Sequence, residues 1–216
     1  MSPRRRRVSD DEVLDAAVRA MTEHGPHELT LAHIGAEAGV TAGLLVQRFG
    51  CKRELLLALS KRFASSAPTV FQQLRAAHRE PLAILRAYAT CMADLAANPD
   101  ALSRNLAYLQ IDLTDEPFRA NLLRNARATR REIESLLRSA IHTGELRKDV
   151  DPRRLARTIE TVIGGSLMSW ACYREGLAAA WIRQDLDAVL QPFLFRRSHS
   201  KPSKSGRRRA HLQSDN

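Results

Sequence analysis

The stretch that most constrains how this chain can fold runs from Thr30 to Leu55, TLAHIGAEAGVTAGLLVQRFGCKREL. Ile34 and Ala38 are four apart, so they share one helical face. Gly39 follows, where a helix C-terminus can turn left-handed at little steric cost. Thr41 can cap the next helix, in which Leu45 and Phe49 face inward with Val40. The opposite face carries Ala42, Gly43, Val46 and Gln47. A helix this short is not stable alone, and its outward face is small and nearly uncharged. Such a face suits close approach to a partner surface. The major groove of DNA is the surface that helices behind a turn of this kind enter.

These residues resemble the DNA-binding segment of the TetR family of bacterial transcriptional regulators, which reads about T-x-x-x-I-A-x-x-A-G-V-[ST]-x-G-x-L-Y-x-x-F-x-x-K-x-x-L. The matches are Thr30, Ile34, Ala38, Gly39, Val40, Thr41, Gly43, Leu45, Phe49, Lys52 and Leu55, in one gapless window. Gly35 departs from the pattern by replacing an alanine, at up to about 1 kcal/mol of helix propensity. Val46 stands where the family has a tyrosine that contacts a phosphate, so the resemblance implies that this contact is missing. Cys51 occupies a position where Ser or Asn caps better. The resemblance implies an all-α fold of about nine helices, with a three-helix DNA-binding head and a C-terminal helical domain for ligand binding and dimerisation. It further implies a ligand-responsive repressor that binds a palindromic operator in double-stranded DNA as a homodimer.

Composition agrees with a helical regulator. In the 216 residues Ala, Leu and Arg dominate and aromatics are 5%, which favours helices. No apolar run approaches the ~18 residues a membrane span needs. The opening MSPRRRRVSDDE has no apolar segment after its arginines, so no signal peptide is expected. Three scattered cysteines, Cys51, Cys91 and Cys172, do not make a disulfide framework, and a cytoplasmic setting is expected. The net charge is +10, but Arg4, Arg5, Arg6 and Arg7, with seven basic residues against Asp215 after residue 195, account for all of it. The body from Val8 to Phe195 is balanced, so the basic excess lies in two arms that read as disordered.

The chain divides into a basic arm (1–8), a helix-turn-helix head (9–50), a connecting helix (51–66), a ligand-binding and dimerisation domain (67–195) and a basic tail (196–216). Ser9 to Glu12 has capping-box spacing, and the first helix runs to about Glu23. The connecting helix runs from about Cys51 to Ser65, and Pro68 marks a break or restart. Further helices are expected from Pro81, from Pro99, over Glu116–His142, over Pro152–Arg174 and over Ala178–Phe195.

Candidate DNA-binding residues follow from this layout. Thr30, Thr41, Arg48 and Lys52 are placed for backbone contacts, with Lys52 in a first helical turn whose free amides favour phosphate. Gln47 is the outward side chain able to make a two-pronged bond to adenine, Ala42 and Val46 can meet thymine methyls, and Gly43 lets the backbone approach. Arg4–Arg7 can lie in a minor groove. Tyr88, Met92, Leu106, Leu109, Leu122, Met168, Trp170 and Tyr173 are the candidate effector pocket, combining apolar bulk with a few polar tips, and point to an apolar or aromatic small molecule. Ile163, Gly164, Leu167, Trp181, Leu186 and Leu190, on the last two helices, are the candidate dimer face, the pairing that the resemblance implies.

No cofactor or metal ligand set is expected. The Gly-x-Ser-x-Gly elbow, Walker loop, His-Glu-x-x-His and Cys-x-x-Cys motifs are all absent, which argues against an enzyme. Two other readings fit the sequence: an architectural DNA binder driven by its arms, and a helical ligand-binding protein with a weakened DNA head.

Overall fold

Ser9 starts the first helix with a reciprocal cap: its hydroxyl accepts from the Glu12 amide at 3.2 Å, and its own amide donates to Glu12 Oε2 at 2.7 Å. That helix, α1, is Asp10–Glu23. In α2 (Leu31–Ala38), the Thr30 hydroxyl caps the His33 amide, and the helix ends at Gly39 with φ of 68°. α3 (Ala42–Phe49) is capped in the same way, Thr41 accepting from the Leu44 amide at 3.2 Å. The two caps set the length of the turn, so three residues separate the helices. Cys51 makes no side-chain cap for α4 (Lys52–Ala64).

The structure, a computed structural model, describes residues 8–96 and 98–195, apart from the side chain of Leu95. The expected arm residues Arg4–Arg7 and the basic tail therefore lie outside the described residues. Beyond α4 come α5 (Ala67–Ala77), α6 (Pro81–Ala93), a 3-10 turn over Asp94–Ala96, α7 (Pro99–Thr114), α8 (Glu116–Thr143), α9 (Pro152–Tyr173) and α10 (Ala178–Leu190). Ten α-helices are thus present among the described residues. The one beyond the expected nine is α5, since Pro68 restarts the helix within its first turn, where a missing amide hydrogen costs nothing. The last helix stops at Leu190 rather than Phe195. After a 3-10 turn over Gln191–Phe193, the chain pairs with 145–147 instead: Arg147 N donates to Phe193 O at 2.9 Å and Phe195 N to Glu145 O at 3.0 Å. No described helix is long and apolar enough to cross a membrane.

Two hydrophobic clusters hold the chain together. One joins α1 to α4 through Val13, Ala17, Leu29, Ile34, Leu45, Leu55 and Leu59, and takes in Tyr108 of α7 and Phe118 of α8. Leu45 is fully buried, so Leu45→Ala would cost about 2–5 kcal/mol. The other cluster joins α5, α6 and α8 to α10 through residues such as Phe71, Leu85, Ile133, Leu137, Ile159, Ile182 and Leu186. The 28-residue α8 runs through both clusters and ties the head to the body.

Candidate DNA-reading face and ligand cavity

α3 buries Leu45, packs half-buried Phe49 against the same cluster, and turns Gly43, Leu44, Val46 and Gln47 outward. Leu44 is 37% and Val46 49% exposed, and Gln47 and Gly43 are exposed too. Ala42 is half-buried. A Cβ built on Gly43 would meet nothing nearer than Thr41 Oγ1 at 3.9 Å, so this glycine answers no steric need inside the chain. Thr30 and Thr41 use their oxygens as caps, which leaves each hydroxyl hydrogen free to donate to a phosphate. Leu44 is an outward apolar residue that the sequence reading missed.

The two expected cationic contacts are turned inward instead. Arg48 donates to the Val8 carbonyl at 2.8 Å and pairs with Asp10. Lys52 Nζ donates to the carbonyls of Leu29 at 2.7 Å and Pro26 at 3.0 Å. Two more cations nearby are also engaged: Arg19 pairs with Glu37, and Arg53 holds both oxygens of Asp115. Among the described residues, each lysine and arginine from Ser9 to Arg53 is thus already partnered inside the chain. Arg48 has a geometric consequence: it fastens Val8, the residue that follows Arg7, to α3.

A cavity of about 700 Å³ lies between α1, α4, α7, α8 and α9. Leu56, Leu59, Phe63 and Ala64 of α4 form one wall. Of the expected pocket residues, Leu106, Leu109, Leu122 and Met168 line it. The other four do not. Tyr88 stacks on Phe71 with ring centres 4.6 Å apart, and Met92 packs against the second cluster. Trp170 is buried in that cluster with its indole N–H on the Gly176 carbonyl, and Tyr173 lies on the surface against Trp181. Apolar bulk with a polar tip marked all four, but that does not say which helix face meets a void.

The sequence reading also missed the polar side chains of the cavity: Asn105 and Asp112 on α7, and Asn121 and Asn125 on α8. Their spacing was the available signal, one turn apart on α8 and two on α7, so each pair shares a helical face. Burial pushes the Asp112 carboxyl above its ordinary range and the Tyr108 phenol up to about 12. Tyr108 therefore stays a neutral donor, and its hydroxyl bonds the His24 carbonyl at the end of α1 at 2.9 Å. Arg104 reaches the neighbouring Thr22 carbonyl at 2.7 Å. One wall of the cavity is in this way bonded directly to the head.

The expected dimer residues divide in the same manner. Ile163, Leu186 and Leu190 are packed into the chain's own core, which leaves them no surface for a second copy. Leu167 is buried at the cavity wall. Gly164 is exposed and Trp181 half-buried.

Residues 13–59 match the family model for bacterial regulatory proteins of the tetR family, and residues 105–186 match the tetracyclin repressor-like C-terminal domain. The chain belongs to the TetR family. It is a DNA-binding, helix-turn-helix transcriptional regulator of the repressor kind. Among TetR-family relatives, it is 26% identical to the transcriptional repressor AcnR of Corynebacterium diphtheriae over 157 residues, covering 71% of this chain and 76% of that one. A TetR regulator from Haloarcula marismortui superposes with a TM-score of 0.71 at 21% identity, covering 86% and 97% of the two chains. SmeT, repressor of the Stenotrophomonas maltophilia multidrug efflux pump SmeDEF, gives 0.61 at 25% identity over 91% and 95%.

Proposed function

We propose that this chain represses transcription as a homodimer on a palindromic operator and lets go when a small molecule fills the cavity. The observation that carries the reading is the cavity's position against α4, the helix that leads out of the DNA-binding head. A ligand that fits better when α4 has moved draws the heads off their half-site spacing, by linkage. Tyr108, Arg104 and the Arg53–Asp115 pair are the bonds through which the movement reaches the head. SmeT, which has this fold, has been solved with triclosan, so an aromatic ligand is compatible with the architecture.

On the DNA side Gln47 reads an adenine, while Leu44, Val46 and Ala42 meet thymine methyls. Thr30 and Thr41 hold phosphates, and Arg4–Arg7 supply the cationic contacts that the head withholds. Arg48 is reassigned from phosphate contact to holding the root of that arm beside α3, and Lys52 to closing the loop after α1. Residues 9–50 form the reading head, 51–66 the link and 67–195 the ligand and dimer unit.

The dimer face moves to the outward side of α9 and α10, with Gly164, Gly165, Met168 and Trp181. Each glycine costs about 1 kcal/mol in mid-helix. Among the described residues nothing fills the space where either Cβ would stand; Gly164, with Met168, also edges the cavity, whereas Gly165 does not, so a second copy is the natural occupant at Gly165.

Operator selection from random duplex tests the proposal, read together with the mass in solution. A dimer that selects an inverted repeat supports it. Binding with a steep salt dependence and no preferred site would replace it with the architectural reading.

A further inference from the structure

The cavity lining narrows the chemistry of the effector, an inference that rests on reading the cavity as the effector site. Its walls are mostly aliphatic, and among the described residues they include no lysine, arginine or histidine. Among the described residues Asp112 is the single charged side chain that reaches it. The arginines on either side of Asp112 in sequence are engaged elsewhere, Arg104 with the Thr22 carbonyl and Arg119 with Glu116. A half-buried carboxylate without a partner is a standing cost to the fold, and groups kept at such a cost mark functional sites.

Two further features have the same polarity. The rings of Phe63 and Tyr108 line the cavity, and aromatic faces attract cations; Phe118 lines it too, but its ring already carries the Arg53 guanidinium at 5.7 Å. Asn125 Oδ1 is buried with no donor to satisfy it. One turn away on the same face, Asn121 is 5% exposed and its Nδ2 has no acceptor. Together the two asparagines offer one acceptor and one donor to a polar group of the ligand.

We infer that the cavity is built for an apolar organic cation, an amine whose ammonium group lies against Asp112 and whose body lies along Leu56, Leu59, Leu109 and Leu122. An anionic amphiphile of the same length would bring its charge to a wall with no cation to receive it. It would also face Asp112 at close quarters.

The test uses the full chain and three probes that share one twelve-carbon tail: dodecylammonium, dodecanol and dodecanoate. Affinities are measured by calorimetry for the wild type, Asp112→Asn and Leu109→Trp, the last filling the cavity. Charge-assisted bonding in a desolvated site predicts dodecylammonium about tenfold or more tighter than dodecanol, with dodecanoate weakest. Asp112→Asn should erase the preference for the amine while dodecanol binding stays as it was. Leu109→Trp should weaken all three. Equal or tighter binding of dodecanol or dodecanoate, with Leu109→Trp still blocking it, would overturn the cation assignment and leave the cavity as the effector site. If no probe bound the wild type, or if Leu109→Trp left every affinity unchanged, both readings would fall.

Discussion

Gly35→Ala sets local helix propensity against the packing of the turn. Propensity alone says that alanine should stabilise α2 by about 1 kcal/mol. The structure says otherwise. An ideal Cβ on Gly35 stands 2.7 Å from the Val40 carbonyl oxygen and 3.4 Å from the Ala42 amide nitrogen. Both are backbone atoms, and the Val40 amide is itself held on the Gly35 carbonyl at 2.8 Å. The methyl fits only if the turn moves, and Thr41 with the start of α3 must move with it. Overpacking of this kind costs about 1–3 kcal/mol. Set against the propensity gain, the net loss is about 1 kcal/mol, or roughly 2–4 °C in melting temperature for a chain of this size. Operator affinity should fall as well, because the displaced element is the reading helix. Thermal unfolding by circular dichroism and operator titration by fluorescence anisotropy measure the two effects. A higher melting temperature with unchanged operator affinity would refute the reasoning. Gly43→Ala is the control: its Cβ has room, so it should stabilise the fold by up to about 1 kcal/mol while weakening DNA binding from the outward face.

Asp112→Asn should raise the melting temperature of the ligand-free protein at neutral pH. Burial raises the carboxyl in the folded state, so its contribution to stability is fully present below the ordinary carboxylate pKa and is lost as pH rises through the raised one. The advantage of asparagine should accordingly close as pH falls through the carboxylate range, which a series of thermal melts will show. Arg48→Ala should weaken specific and random duplex together and flatten the salt dependence, because the arm loses its anchor at Val8 and Asp10. Removing residues 1–7 should give the same pattern more strongly. Tyr108→Phe deletes the bond to the His24 carbonyl, at about 0.5–1.5 kcal/mol. It should reduce the loss of operator affinity that a cavity ligand produces more than it reduces ligand affinity itself.

Local chemistry was the legible part of this chain. The Ser9–Glu12 box, the Thr41 cap and the left-handed end at Gly39 depend on residues within a turn of one another, and each was visible in the string. What was hidden depends on distant partners. The carbonyls that hold Lys52 lie 23 and 26 residues away, and the Val8 carbonyl that holds Arg48 lies 40 away. Gly35 read as a propensity defect because the oxygen its side chain would strike belongs to the turn beyond its helix. Tyr88 and Trp170 were expected at a pocket and Leu186 at a dimer face, but an apolar helical stripe can meet another helix, a second copy or a void. The cavity shows instead in polar residues that interrupt an apolar stripe at helical spacing, Asn121 and Asn125 above all.

The central claim is that α3 reads sequence through Gln47 while the cations of the head stay committed inside the chain. Operator selection on the wild type beside Gln47→Ala tests it most directly. The account predicts an inverted repeat for the wild type, with an A·T pair in each half-site that Gln47→Ala no longer specifies, at about 1–3 kcal/mol of lost discrimination. An identical sequence preference for the two proteins would contradict it.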